Sequence, residues 1–469
     1  MDSDLAQMFP NLQTLTLEYF TGEQLSTFLE NLQSPSKLVK LNIKYLLEHR
    51  QNELLDLVLS VNNRRVKFIR FDQASIFLPL NITDKTIFYQ NIEELIVNLI
   101  DCEMLGDLFT RIPNVRRLHI NLGLSPFVSI EKLKNISPLL HLNDFKLYSI
   151  QMTWGFEEIN NILCKMPSLH RITLCISTTD KRLVNKEDLA VILPLSLVQM
   201  NFFIIYNFAE TSIEFDTLLN TWPRDQISMT RLPDGSNQYA AIQTIPFNID
   251  SIVLLSILAK NMLPAWKYMR NVQNLNIHRG LSSSDILMIL QHLDRIQTLK
   301  INATAAQLLQ PIVLHLPYFK QLKITDSCEL FPIFKAAPNL NHLSIDFGGY
   351  NRLITDELLC ELLEKQLECL EICRLQGNST IKFDLIIIKF TNLRRMILST
   401  ADSTNDISSL ILQALEVWRD EEYIYICIKG TLSRYGNETL REWFNNHNCL
   451  TKKDSFAFDY HEKRAHIWL

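Results

Sequence analysis

Glycine is scarce in this sequence, which has 11 glycines among 469 residues. Glycine-rich phosphate-binding loops and folds full of tight β-hairpins need many positions that only glycine can occupy. The P-loop, GxGxxG and GxSxG patterns are also missing, as is any CxxC pair. These absences argue against nucleotide-binding and hydrolase chemistry, and we expect neither enzyme activity nor a cofactor.

An excess of positive charge is missing as well, since 46 Lys and Arg face 51 Asp and Glu and the net charge is −5. A nucleic-acid partner would need a strongly basic face. The N-terminal MDSDLAQMFPNL carries acidic residues where a secretion signal needs basic ones. The longest apolar runs, Leu189–Val198 and Leu385–Phe390, fall far short of the roughly 20 residues that span a bilayer. We therefore predict a soluble protein of the cytoplasm, or alternatively the nucleus, without a nucleic-acid or membrane partner.

Clustered metal ligands are missing too. Nine cysteines are scattered along the chain, which is typical of small core residues in a reducing compartment. Cys369 and Cys373 flank one predicted strand, where surface or partly buried thiols are the better interpretation than a reactive pair. His461 and His466 are five residues apart, whereas HExxH needs a spacing of four. We predict no metal site.

What the sequence does contain is a repeat. The pattern apolar-x-x-apolar-x-apolar occurs fourteen times, with starts 21 to 28 residues apart inside each unbroken series. The copies begin at Leu12, Leu38, Val66, Ile92, Val115, Leu142, Leu169, Leu197, Val272, Ile296, Phe319, Leu340, Leu367 and Leu393. One such triplet fits any buried strand, but fourteen at near-constant spacing predict a repeat architecture.

The segments between the copies have helical features. Thr21–Leu32 begins with Thr21 and has Gln24 three residues on, which is a capping-box pattern. Ser283–Leu293 and Thr355–Leu367 show apolar residues at helical spacing. Proline stands two residues before the first apolar position in five copies, at Pro10, Pro113, Pro167, Pro317 and Pro338. Each unit is thus predicted to be a short strand, a return helix and a proline-marked turn.

Over roughly residues 9–400 this pattern resembles the leucine-rich-repeat family. Parallel strands lie about 4.8 Å apart while packed helices need about 8–10 Å, so the stack should curve into an α/β horseshoe with concave strands and convex helices. The Asn or Cys that often follows the third apolar position in the family is missing in every copy. The repeats are therefore divergent.

Two segments break the repeat spacing. Gln226–Phe247 has two strand-like runs around Pro-Asp-Gly-Ser-Asn and predicts a β-hairpin; a protruding binding element and a hairpin packed on its neighbours are equally good interpretations. After about residue 410, a strand at Tyr423–Gly430, a helix at Thr439–His447 and a terminal hairpin suggest a cap. The predicted domains are repeats at 1–205, an insertion at 206–270, repeats at 271–410 and a cap at 411–469.

Residues that alternate with the apolar strand positions should face the concave side. They are polar and of mixed charge, which suits a protein partner. The predicted protein-binding residues are Arg117, His119, Asn121, Lys146, Tyr148, Arg171, Asn201, Phe203, Asn276 and His278.

Divergent repeats of about this length with starts such as FPNL, IPNV, MPSL and APNL resemble the F-box/leucine-rich-repeat proteins. That resemblance implies a solenoid that captures a substrate for a ubiquitin ligase, with the Skp1 adaptor and a cullin as partners. Because the repeats begin at residue 9, we expect the substrate-recognition half without its F-box. The alternative is a stand-alone scaffold or an inhibitor of another protein, and a catalytic site in the insertion or the cap is the least favoured interpretation.

Overall fold

The computed structural model describes most of the chain. The described residues are 9, 11–18, 20–31, 37–46, 53–72, 75–80, 87–123, 137–208, 221–223, 227–232, 238–245, 247, 249–304, 314–325, 331–376, 381–401, 406–417, 424–432, 442, 457–461 and 464–468. They form two compact units that divide between Phe247 and Asn248. This division falls inside the predicted insertion and not at either of its ends.

The first unit contains one ten-stranded sheet in the order β1 to β8, then β10 and β9. Its strands are β1 Thr14–Glu18, β2 Lys40–Lys44, β3 Phe68–Phe71, β4 Glu94–Leu99, β5 Arg117–Leu122, β6 Asp144–Trp154, β7 Arg171–Thr178, β8 Gln199–Phe208, β9 Ile227–Leu232 and β10 Gln238–Thr244. Its helices are α1 Gly22–Asn31, α2 Leu54–Arg64, α3 Met104–Arg111, α4 Phe156–Leu163 and α5 Lys186–Ile192. Strands β1 to β8 are parallel, and β10 is antiparallel to both β8 and β9.

The second unit repeats this arrangement, with a ten-stranded sheet in the order β11 to β18, then β20 and β19. Its strands are β11 Ser251–Leu255, β12 Asn274–Ser282, β13 Thr298–Thr304, β14 Gln321–Thr325, β15 His342–Asp346, β16 Cys369–Leu375, β17 Arg395–Thr400, β18 Tyr425–Lys429, β19 Ala457–His461 and β20 Arg464–Trp468. Its helices are α6 Ser256–Asn261, α7 Leu263–Trp266, α8 Ser283–Leu290, α9 Phe331–Ala336, α10 Phe347–Thr355, α11 Glu357–Leu363, α12 Phe383–Lys389 and α13 Ser408–Val417.

The parallel sheets with helical connections confirm the mixed α/β repeat class. The second apolar position of each predicted copy pairs with that of the next, as in Leu95 with Leu118 and Leu118 with Phe145. Because side chains alternate between the two faces of a strand, this register puts the apolar positions on one face. Strand residues such as Leu118 share the buried core of the first unit with helix residues such as Leu105 and Leu108.

Helices α1 and α8 begin where the sequence signals predict. The helix predicted at Thr355–Leu367 instead forms as α11, because Thr355 ends α10 and the side chain of Asp356 caps α11. The capping box of α1 is confirmed, since the Gln24 backbone N–H donates to Thr21 Oγ1 at 3.2 Å and the Thr21 N–H donates to Gln24 Oε1 at 3.0 Å.

The helices of the described residues are short, and the longest of them, α2, has 11 residues. None of these helices is both long and apolar enough to cross a bilayer.

The segments that broke the repeat spacing belong to the sheets. The predicted hairpin forms as β9 and β10, and it packs on its neighbour because β10 pairs with β8. Within the predicted insertion, Ser251–Leu255 is the first parallel strand of the second sheet. Within the predicted cap, β18 pairs in parallel with β17, and β20 and β19 then close the sheet. The predicted helix at 439–447 lies outside the described residues except for Glu442.

The burial of each leucine indicates how much its truncation to alanine should lower the free energy of unfolding. Leu147 on β6 is 1% exposed, whereas Leu195 in the turn before β8 is fully exposed. We expect Leu147→Ala to lower the free energy of unfolding by about 2–5 kcal/mol because it leaves a cavity, and Leu195→Ala to change it by less than about 0.5 kcal/mol. Guanidinium unfolding of both variants followed by circular dichroism measures the difference, and equal midpoint shifts would contradict this placement of the core.

Candidate protein-binding surface

The face of the first sheet that the apolar core leaves free carries polar side chains in register. We define the polar face as the strand positions that alternate with the buried apolar ones. One row runs through Glu94, Arg117, Asp144, Arg171 and Gln199, and the adjacent row through Asn42, Arg70, Ile96, His119, Lys146, Thr173 and Asn201. The parallel register alone brings these residues together, although they are distant in sequence.

Five residues of this face form a chain of ion pairs across β3 to β7, which we call the arginine ladder: Arg70, Glu94, Arg117, Asp144 and Arg171. Arg70 Nε lies 2.5 Å from Glu94 Oε1, and Arg117 Nη1 lies 3.0 Å from Glu94 Oε2. Arg117 Nε and Arg171 Nη2 approach Asp144 Oδ2 at 3.2 Å and 3.0 Å. Each carboxylate is therefore shared by two guanidinium groups.

The acidic side chains of the ladder are less exposed than its arginines. The Glu94 and Asp144 side chains are 8% and 9% exposed, whereas those of Arg70, Arg117 and Arg171 are 40%, 37% and 49% exposed. Buried carboxylates with two guanidinium partners are compensated by charge-assisted hydrogen bonds. The ladder thus presents positive charge outward and holds its negative charge underneath.

His119 lies beside the ladder as a neutral ring. Its Nε2 is 3.7 Å from Asp144 Oδ1, too far for a hydrogen bond. Burial lowers the pKa of His119, and the nearby Asp144 only partly opposes this. The pKa of Asp144 is lowered although its burial acts to raise it, and the positive charges of Arg171 and Arg117 contribute to this lowering. Asp144 is therefore ionised and His119 uncharged at neutral pH.

The predicted site residues do not all share one surface. Arg117, His119, Lys146, Arg171 and Asn201 lie together on the polar face. Tyr148 lies two residues after Lys146 on β6 and is half-buried on the same face, as is Asn201 on β8. Asn121 donates to Asn98 Oδ1 at 2.6 Å, and the buried Asn98 in turn donates to the backbone oxygens of Asp72 and Ser75 at 2.9 Å. Asn276 and His278 belong to the second unit, and the side chain of His278 is outside the described part.

The assignment of Phe203 to the binding surface is wrong in this structure. Its side chain is buried, with its ring 5.7 Å from that of Phe247. Phe203 pairs with Gln243 of the antiparallel strand β10, so the sheet end around it is covered. Arg70, in contrast, belongs to the ladder but was not among the predicted residues. Alternating charge at equivalent positions of successive repeats is the signal that identifies the ladder.

The second sheet holds a separate ion pair on its own polar face. Lys323 Nζ donates to both carboxylate oxygens of Glu371, at 3.3 Å and 3.2 Å, across the intervening strand β15. Burial acts to raise the pKa of Glu371, but Lys323 and Lys429 outweigh this and lower it to about 2. His342 on β15 is largely buried, which lowers its pKa to about 4. The pair is charged at neutral pH beside a neutral histidine.

The cysteines of β16 are unreactive in this setting. Cys369 is buried, which raises the pKa of its thiol to about 12, and burial also raises the pKa of Cys373. A reactive cysteine needs the opposite shift. His466 is buried with Nδ1 2.6 Å from the Tyr425 hydroxyl. The described residues contain no group of three or more His, Cys, Asp or Glu side chains that could hold a metal ion.

The ion pair of the second sheet predicts how stability changes with pH. Folding lowers the pKa of Glu371 from 4.5 to about 2, so its contribution is fully present above pH 4.5 and is lost as the pH falls toward 2. We expect Glu371→Gln to lower the free energy of unfolding by about 3 kcal/mol at pH 7, and this difference from wild type to shrink between pH 5 and pH 2.5.

Denaturant unfolding across this pH range measures that difference. Glu361→Gln is the matched control, because Glu361 is exposed on α11 and its replacement should have little effect at any pH. A difference between wild type and Glu371→Gln that stayed constant from pH 7 to pH 2.5 would contradict the assignment.

Comparisons with known proteins give a likeness to solved structures and none to a known family. No family model matches the chain, and no curated protein matches it. A solved leucine-rich-repeat protein from Leptospira interrogans is similar at 14% sequence identity, covering 84% of this chain and 92% of that one, with a TM-score of 0.22. At that TM-score the likeness carries no weight, and the repeat architecture is established by the strand order and register described above.

Proposed function

We propose that this chain is a protein-binding module whose partner contacts the polar face of the first sheet. The arginine ladder carries this proposal, because it places three partly exposed guanidinium groups on neighbouring strands and fixes them with buried carboxylates. Arginine is among the residues that contribute most to protein interfaces, and side chains held on strands lose little freedom on binding.

A binding role suits the ionisable groups of this face better than catalysis does. A general base works best with a pKa near the working pH. The pKa of Asp144 is instead lowered by its neighbours, and its carboxylate is already engaged by two arginines. We therefore propose that the chain is not an enzyme.

We further propose that the bound partner is a substrate of a ubiquitin ligase of the F-box type, with Skp1 and a cullin as the associated components. The support is the sequence resemblance of the repeat starts FPNL, IPNV, MPSL and APNL. We place this role in a reducing compartment, the cytoplasm or the nucleus, because the nine cysteines are scattered along the sequence.

Alanine substitution on the ladder tests the binding role. Arg171 is the most exposed of its arginines, and Arg117 remains paired with Asp144 when Arg171 is removed. We expect Arg171→Ala to weaken partner binding about tenfold or more without unfolding the chain. Affinity purification of wild type and variant from cells, with quantitative mass spectrometry and circular dichroism, measures both effects.

Lys186→Ala on α5 is the matched control, because Lys186 is exposed and lies on a helix. If both variants retain the same proteins as wild type, the polar face is not the binding surface. Recovery of Skp1 and a cullin with wild type supports the ligase proposal, whereas a specific partner without them favours a stand-alone scaffold or inhibitor.

A further inference from the structure

The arginine ladder has hydrogen-bonding capacity that its own carboxylates do not use. A guanidinium group has five N–H donors. Within the described residues, Arg70 bonds through Nε, Arg117 through Nε and Nη1, and Arg171 pairs through Nη2. The remaining nitrogens, including both Nη atoms of Arg70 and Nη2 of Arg117, bond to no carboxylate of the described residues, and these side chains are more than one-third exposed.

The ladder is also arranged before any partner binds. Glu94 and Asp144 hold the guanidinium groups from below, and each is itself nearly buried. An arginine that is already fixed loses less side-chain entropy on binding than a free one. The exposed N–H groups can therefore bind a new anion with little rearrangement of the arginine side chains.

The spacing of the arginines defines the geometry of that anion. Arg117 and Arg171 occupy equivalent positions on β5 and β7, which are separated by one strand. Strands are about 4.8 Å apart, so the backbones at these two positions are about 10 Å apart, but their side chains converge. Arg117 Nε and Arg171 Nη2 lie 3.2 Å and 3.0 Å from the same atom, Asp144 Oδ2, so these two nitrogens are at most about 6.2 Å apart. Arg70 and Arg117 likewise share the carboxylate of Glu94. In an extended peptide, alternate side chains lie on one side of the chain at a similar spacing of about 6.6–6.8 Å.

We infer that the arginine ladder binds an acidic, extended segment of a partner protein, whose carboxylates recur at every second residue. This inference rests on the proposed protein-binding role and specifies the chemistry of the partner. Each carboxylate accepts hydrogen bonds from one arginine, while the side chains of the residues between them point away from the sheet.

The same features disfavour nucleic acid as the occupant. The phosphates of a nucleic-acid strand form an unbroken row of negative charge. Glu94 and Asp144 also alternate with the arginines, so a continuous polyanion would lie over both signs of charge. Discrete carboxylates opposite the arginines avoid this repulsion.

Fluorescence polarisation with the purified full chain tests the inference. The probes are a labelled Gly/Ser peptide with four Asp at every second position, a peptide of the same composition with its four Asp contiguous, and a single-stranded oligonucleotide. We expect the spaced peptide to bind at least fivefold more tightly than the contiguous one, and its affinity to fall as salt rises.

Substitutions of Arg171 and Arg70 test whether the peptide binds to the ladder. We expect Arg171→Gln and Arg70→Gln each to weaken binding of the spaced peptide about tenfold, Arg171→Lys to restore part of the loss, and Lys186→Gln to leave it unchanged. Circular dichroism establishes that each variant is folded, and two variants at separate strands ensure that one folding defect does not decide the result.

Several outcomes would overturn the inference: equal affinity for the spaced and contiguous peptides, no effect of both ladder variants, or tighter binding of the oligonucleotide. If the peptides fail but Arg171→Ala still loses its cellular partner, the acidic-segment inference is wrong and the binding surface stands. If the peptides fail and that variant retains its partners, the proposed function fails as well.

Discussion

The register between parallel strands is the constraint on which the rest of this structure depends. Each strand pairs with the next so that equivalent positions of successive repeats lie side by side, as Leu95, Leu118 and Phe145 do. The alternation of side chains then separates an apolar face, which the helices cover, from a polar face. A shift of one residue would exchange the two faces, so the burial of the leucines also fixes which charged residues become neighbours.

Both sheets end in an antiparallel pair of strands, which covers the edge of the last parallel strand. The last parallel strand of a repeat array exposes unpaired backbone groups that promote aggregation. In the first sheet β10 pairs with β8 and is followed by β9, and in the second β20 pairs with β18 and is followed by β19. Eight parallel strands closed by an antiparallel pair therefore form a unit that the chain contains twice.

The repeats and their strand positions could be predicted from sequence because they depend on local apolar spacing, and the predicted triplets coincide with the observed register. Two parallel strands were not recognised as repeat copies. β11 follows the hairpin directly, so Ile249, Ile252 and Leu254 were missed as a further copy. β18 was predicted as a strand but assigned to the cap, because Tyr425 and Cys427 on one of its faces and Ile426 and Ile428 on the other hide the alternation that identifies a repeat strand.

The binding face was predicted only as a set of separate side chains, because pairing between repeats follows from alignment of the copies and not from any one of them. Aligning the copies places Glu94, Arg117, Asp144 and Arg171 in one row of alternating charge, yet Arg117 and Arg171 were interpreted as independent contacts. The burial of Phe203 had no such signal, since it depends on Phe247, which lies beyond the antiparallel hairpin.

The ladder also shows why arginine is suited to these positions. A lysine ammonium could pair with one carboxylate, but it could not bridge Glu94 and Asp144 as Arg117 does through Nη1 and Nε. Two carboxylates this deeply buried are destabilising without such partners. A planar guanidinium reaches one carboxylate through Nη1 and the other through Nε, and its side chain stays partly exposed, so the arrangement that stabilises the buried acids is also the one that leaves positive charge exposed. On this face, the side chains that stabilise the fold are the same ones that we propose for recognition.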